Sequence, residues 1–180
     1  MVARTRLTAA EYHELPETTQ SMQLIDGEVI LSPSPEIVHQ RTSRSALLYL
    51  ETRIPNGELL YAPMDVEFDE HNTPQPALFW ISEGSRCVPA ENGKYYVGAP
   101  DLIVELLSPG TALQDRRDKF RLYERHGVRE YWIIDPHERL IESWSLVDQK
   151  YVRIGVFGDE DKFTSPLLGE IEVAKLLPRK

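Results

Sequence analysis

Apolar residues in this chain gather in short runs separated by turn signals, and the run at 101–107, Asp-Leu-Ile-Val-Glu-Leu-Leu, is the most informative. A near-continuous apolar stretch of that length predicts a strand buried on both faces. Glu105 interrupts it. An ionised carboxylate there costs several kcal/mol, on the order of the penalty for an unpaired buried ion, unless a cation meets it. Three readings stand side by side: a buried salt bridge, a strand with one wet face, or a carboxylate serving a metal, a Lys or an Arg in a functional site.

The remaining pattern alternates strands with helices. Thr8 and Glu11 form a capping-box pair for a short helix reaching residue 15. Asp26-Gly27 between 22–25 and 28–31 predicts a β-hairpin with a type I′ turn. Ser34-Pro35 supplies a cap and a first-turn proline for a helix reaching residue 53, which Asn56-Gly57 ends. Residues 59–62, 65–68 and 77–82 read as strands, and 83–98 as a mobile loop. After the Glu105 strand, Ser108-Pro109-Gly110-Thr111 breaks the chain and caps a helix over 112–126. On a helical wheel Leu113, Phe120 and Tyr123 share the face expected to pack on the sheet, and Gly127 is placed to end the helix. Residues 131–135, 140–146 and 151–157 read as strands, and 171–176 as a terminal helix or turn. The expected architecture is one domain over residues 1–180, a mixed β-sheet flanked by helices with an N-terminal β-hairpin, in the α/β or α+β class.

Composition narrows the function. With 180 residues and 41% hydrophobic content, the chain suits a domain with a real core. A formal net charge of −9 argues against a protein that coats nucleic acid electrostatically, while leaving room for a nuclease whose acidic site is offset by divalent cations. Cys87 is the only cysteine, so an intrachain disulfide is impossible. The absence of a long apolar window and of a secretory core at the start points to a cytoplasmic protein without a membrane partner.

Three elements are placed to converge: Glu105 on its strand, Lys119 on the next helix, and an acid from the strand before. Around them lie LIDGEVILSPSP at 24–35, then His39, the QP-x-L strand at 75–78, PDLIVELLSP at 100–109, and the block K-x-x-x-Y-x-x-x-GV-x-EYW-x-x-DP at 119–136. In this order and spacing the chain resembles the Uma-type family of restriction-endonuclease-like proteins over roughly residues 7–144. The resemblance implies a PD-(D/E)XK nuclease core, in which an Asp and a Glu bind Mg²⁺ or Mn²⁺ and a Lys helps activate water for attack on a phosphodiester. Glu105 takes the acidic position of that motif. Leu107 stands where its Lys is usual, so Lys119 supplies the ammonium.

The departure is Ala77, where the family pattern has Gln-Pro-Asp and this chain has Gln75-Pro76-Ala77. A methyl group ligates no metal. Glu28 on the hairpin, Asp65 and Glu67 are candidates to compensate. Asp101 lies about 13 Å from Glu105 along an extended strand, too far to share an ion. The resemblance therefore implies a Mg-dependent DNA endonuclease weakened or silenced by Ala77, with Glu105, Lys119 and Glu28 catalytic and Glu105 on the metal; His39, in the first turns of its helix, either faces the cleft or binds phosphate, or else caps or packs. The alternative is a catalytically silent nuclease fold that binds nucleic acid or protein. A homodimer is expected, since nucleases of this fold commonly pair to cut two strands. Tyr123, Tyr131 and Trp132 read as core. Arg116, Arg117, Arg121 and Arg125, alternating with Asp115, Asp118 and Glu124, read as an ordinary solvated helix face.

Overall fold

The computed structural model describes residues 6–16, 18–108, 110 and 112–178. The chain order is α1 (Ala9–His13), β1 (Met22–Ile25), β2 (Glu28–Leu31), α2 (Ile37–Glu51), β3 (Glu58–Tyr61), β4 (Val66–Glu67), β5 (Leu78–Ile81), β6 (Val88–Pro89), β7 (Tyr96–Val97) and β8 (Leu102–Leu106). There follow α3 (Ala112–Gln114), a π-helical turn over Asp115–Lys119, α4 (Phe120–His126), β9 (Glu130–Asp135), β10 (Leu140–Val147), β11 (Lys150–Phe157), β12 (Lys162–Ser165), β13 (Gly169–Glu172) and α5 (Val173–Leu176). The expected mixed sheet is present. Its order is β11-β10-β9-β8-β5-β3, with β8 and β9 parallel and the other neighbours antiparallel.

Strand alternation gives this sheet two faces. Leu102, Val104 and Leu106 of β8 pack with Trp132 and Ile134 of β9 under α2 and α5. Ile103 packs on the other face with Tyr131 and Ile133, under Leu122 and Tyr123 of α4. All five residues of β8 are buried, so this strand has no wet face. Glu105, of the same parity as Ile103, points toward α4.

The local signals held in part. Thr8 and Glu11 form both arms of the capping box, although α1 stops at His13. Asp26 and Gly27 both have positive φ, 49° and 75°, as a type I′ turn requires. A Cβ at Gly27 would meet the Arg6 Cβ at 2.6 Å, so glycine there serves close approach as well as the turn.

Other boundaries moved. Ser34-Pro35 does not start α2: the cap is Glu36, with no side-chain cap bond, because Pro33 and Pro35 hold the residues before them extended. Residues 65–68 contribute only Val66–Glu67, which belongs to a separate three-stranded sheet, β4-β7-β6. Residues 83–98, expected to be loop, supply its two other strands. Before α5, β12 and β13 form an antiparallel pair. Pro109 and Thr111, part of the expected helix cap, lie outside the described residues.

The helix expected over 112–126 is the instructive case. Its middle is a π turn, and Leu113, expected to pack on the sheet, is 70% exposed. A π turn spends an extra residue, so positions before it rotate off the inner face relative to positions after it. Phe120 and Tyr123 stay inward. Asp115 and Lys119 are buried with them.

Candidate active site

The π turn and β8 together build a buried charged cluster. Lys119 Nζ lies 2.9 Å from Glu105 Oε1 and 3.1 Å from Asp115 Oδ1. The Tyr123 hydroxyl donates to the same Glu105 oxygen at 2.8 Å. On the other side, the Ala77 backbone N–H faces Glu105 Oε2 at 3.4 Å. Glu105, Asp115 and Lys119 are 4%, 2% and 3% exposed, so one ammonium stands against two carboxylates in a poorly solvated place.

That setting decides the protonation states. Burial opposes the Lys119 charge, but Asp115 and then Glu105 outweigh it and hold the ammonium well above its ordinary value. Burial raises the Glu105 carboxyl above 4.5; Lys119 pulls it back, and the Asp115 charge adds to the rise. An acid raised in this way is most favourable to the fold below its unfolded value and loses that contribution as pH rises through its folded value. Glu105→Gln removes the titration and leaves Lys119 paired one-to-one with Asp115. The variant is expected to match the wild type near pH 4 and to exceed it by about 1 kcal/mol or more near pH 7. Thermal unfolding across that range reads the difference, and a large stability loss in Glu105→Gln contradicts it.

The cluster sits at the floor of a cleft of about 1320 Å³. One side carries His39, Gln40 and Ser43 from α2; another carries His13, Asp65 and Glu67. His39 is partly buried, which lowers its pKa, although the Leu106 backbone, Asp115 and Glu36 favour its charged form. Its Nδ1 is buried without a hydrogen-bond partner among the described residues. Asp65 and Glu67 are engaged elsewhere. Gln75 donates to Asp65 at 2.8 Å, and the His13 ring lies 3.2 Å from Glu67 while stacking on Tyr95. Glu28 is exposed at the hairpin turn and does not line the cleft, so it is not brought to Glu105. Asp101 is tied to Ser82 and Arg129 at the far end of its strand.

Two residues of the cluster escaped the sequence reading. Asp115 belongs to the buried floor and not to a solvated face; only the π turn reveals this. Tyr123 is core, as expected, yet its hydroxyl also serves the site. Arg116, Arg117 and Arg125 do behave as surface residues, paired with Glu142, Asp118 and Asp69.

The pair of carboxylates that the resemblance implies, one at position 77 and one at 105, does not form. The described residues contain no group of three His, Cys, Asp or Glu side chains arranged to hold a metal. What remains is an acid and an ammonium at the floor of the cleft, with the buried Tyr123 hydroxyl and the Ala77 backbone N–H on the acid. Of the expected set, Glu105 and Lys119 are brought together and the second strand-borne acid is absent.

Residues 9–176 match the Uma2 family, described as "Putative restriction endonuclease". An uncharacterized protein of Synechocystis sp. (strain ATCC 27184 / PCC 6803 / Kazusa) is 30% identical over 176 residues, which span 94% of this chain and 93% of that protein. The crystal structure of "a putative nuclease belonging to DUF820" from Anabaena variabilis ATCC 29413 matches with a TM-score of 0.77 at 22% identity, covering 94% of this chain and 97% of that one. The structural match shows a shared fold. The family match extends over nearly the whole chain, and the chain belongs to the Uma2 family.

Proposed function

We propose that this chain is a divalent-cation-dependent DNA endonuclease of strongly reduced activity, with Glu105 and Lys119 at its centre. The observation that carries this reading is the direct contact of those two residues at the cleft floor, with position 77 against the second Glu105 oxygen. A phosphodiester entering the cleft brings negative charge toward the Lys119 ammonium, which is placed to stabilise the charge that grows on phosphorus oxygens during attack. Glu105, itself held by the Tyr123 hydroxyl, and Asp115 fix where that ammonium sits. The divalent ion, Mg²⁺ or Mn²⁺, supplies Lewis acidity and an activated water when bound. Ala77 removes one of its ligands, so the ion is held weakly and hydrolysis is slow.

Charge in the cleft favours this over a silent nucleic-acid-binding module. The lining includes six carboxylates, Glu14, Glu36, Asp65, Glu67, Glu105 and Asp115, against two amines, Lys94 and Lys119. A polyanion is repelled by such a cleft unless divalent ions accompany it. Prolonged incubation with supercoiled plasmid tests the reading. Slow nicking is expected with Mn²⁺ and less with Mg²⁺, abolished by chelation and by Glu105→Gln. Nicking that persists unchanged in Glu105→Gln contradicts it.

A further inference from the structure

Two carboxylates already converge on one cation in this protein, and that cation is part of the chain. Lys119 Nζ stands 2.9 Å from Glu105 and 3.1 Å from Asp115, all three within the protein interior. Asp115 Oδ1 is buried and meets the Lys119 ammonium as an ion pair, with no other hydrogen-bond donor on it among the described residues. We infer that Glu105 and Asp115 form a cation site whose resident occupant is the Lys119 ammonium, so that a divalent ion must displace Lys119 to enter it. The inference rests on reading Glu105 as a cation-binding acid. It goes further in assigning Asp115 as the second acid and Lys119 as a competitor.

The geometry makes the two sides of Glu105 distinct. Oε2 faces the backbone N–H of Ala77. Oε1 faces Lys119, Tyr123 and, across the ammonium, Asp115. Oxygen atoms separated by one ammonium need move little to chelate a metal, because hard cations take carboxylate oxygens at about 2.0–2.6 Å. The π turn that rotates Asp115 inward is thus a means of building a two-acid site from a strand and a helix.

The test is Mn²⁺ binding, read from the loss of the free-ion electron paramagnetic resonance signal, for the wild type, Lys119→Met, Lys119→Met/Asp115→Asn and Lys119→Met/Glu105→Gln. Lys119→Met is expected to bind Mn²⁺ on the order of tenfold or more tighter than the wild type, and both double variants to lose that gain. Affinity no higher in Lys119→Met, or a gain that survives Asp115→Asn, overturns the inference. Should Lys119→Met fail to fold alone, circular dichroism with added Mn²⁺ replaces the titration. Recovery of folding supports the site and absence of recovery overturns it. This readout requires no cleavage, so it stands or falls separately from the plasmid assay.

Discussion

Ala77→Asp is expected to raise Mn²⁺ affinity on the order of 10–100-fold, measured by calorimetric titration of the two proteins side by side. The Ala77 N–H faces Glu105 Oε2, the carboxylate oxygen that Lys119 and Tyr123 leave open. An Asp there adds a charged oxygen ligand next to that open edge, as hard cations require. Ala77 also borders the cleft, so the new carboxylate has access to solvent and ions. Equal affinity in the two proteins means that position 77 does not limit the site.

Lys119→Met is expected to cost about 3–5 kcal/mol of folding stability near pH 7 in the absence of divalent ions. The change strands two carboxylates, Glu105 and Asp115, in an interior where each is at most 4% exposed. Lys119 is held above its ordinary value, so its contribution is present throughout the range below 10.5 and is lost only in strong alkali. The deficit should therefore shrink on acidification, as the stranded carboxyls take up protons and become neutral. Chemical denaturation at about pH 7 and pH 4 checks both size and direction. A deficit that is the same at both values contradicts the assignment of the loss to unpaired buried charge.

These contrasts explain which parts of the site were legible from residues alone. Glu105 was visible because a carboxylate in an unbroken apolar strand contradicts its surroundings. Lys119 followed from the K-x-x-x-Y block. Asp115 was not visible: in Asp115-Arg-Arg-Asp-Lys119 it looks like one member of an alternating, solvated run, and it is buried only because the helix takes a π turn there. The same turn exposes Leu113, which a regular helical wheel placed on the sheet. Glu130 is the opposite lesson. It is fully buried at the start of β9. It accepts hydrogen bonds from Ser165, Trp132 and the Leu167 backbone, and burial raises its pKa. A buried acid therefore signals a partner, and only the fold says whether that partner is a cation or a set of neutral donors.

The strands were more legible than the helix starts for a related reason. β8 and β9 are largely apolar runs, buried on both faces except at Asp135, and that pattern fixes them. The start of α2 turns on whether Ser34 or Glu36 caps it, and two prolines two residues apart shift that choice. The small sheet β4-β7-β6 uses two-residue strands with little periodicity to detect.

In the proposed function, Glu105 and Lys119 remain a phosphodiesterase centre limited by the residue at position 77. Mn²⁺-dependent plasmid cleavage by the wild type, Ala77→Asp and Ala77→Asp/Glu105→Gln, run together, tests it most directly. Slow cleavage by the wild type, a rate on the order of 100-fold higher for Ala77→Asp, and loss of that gain in the double variant are expected. A rate unchanged by Ala77→Asp, or a gain that survives Glu105→Gln, would contradict it.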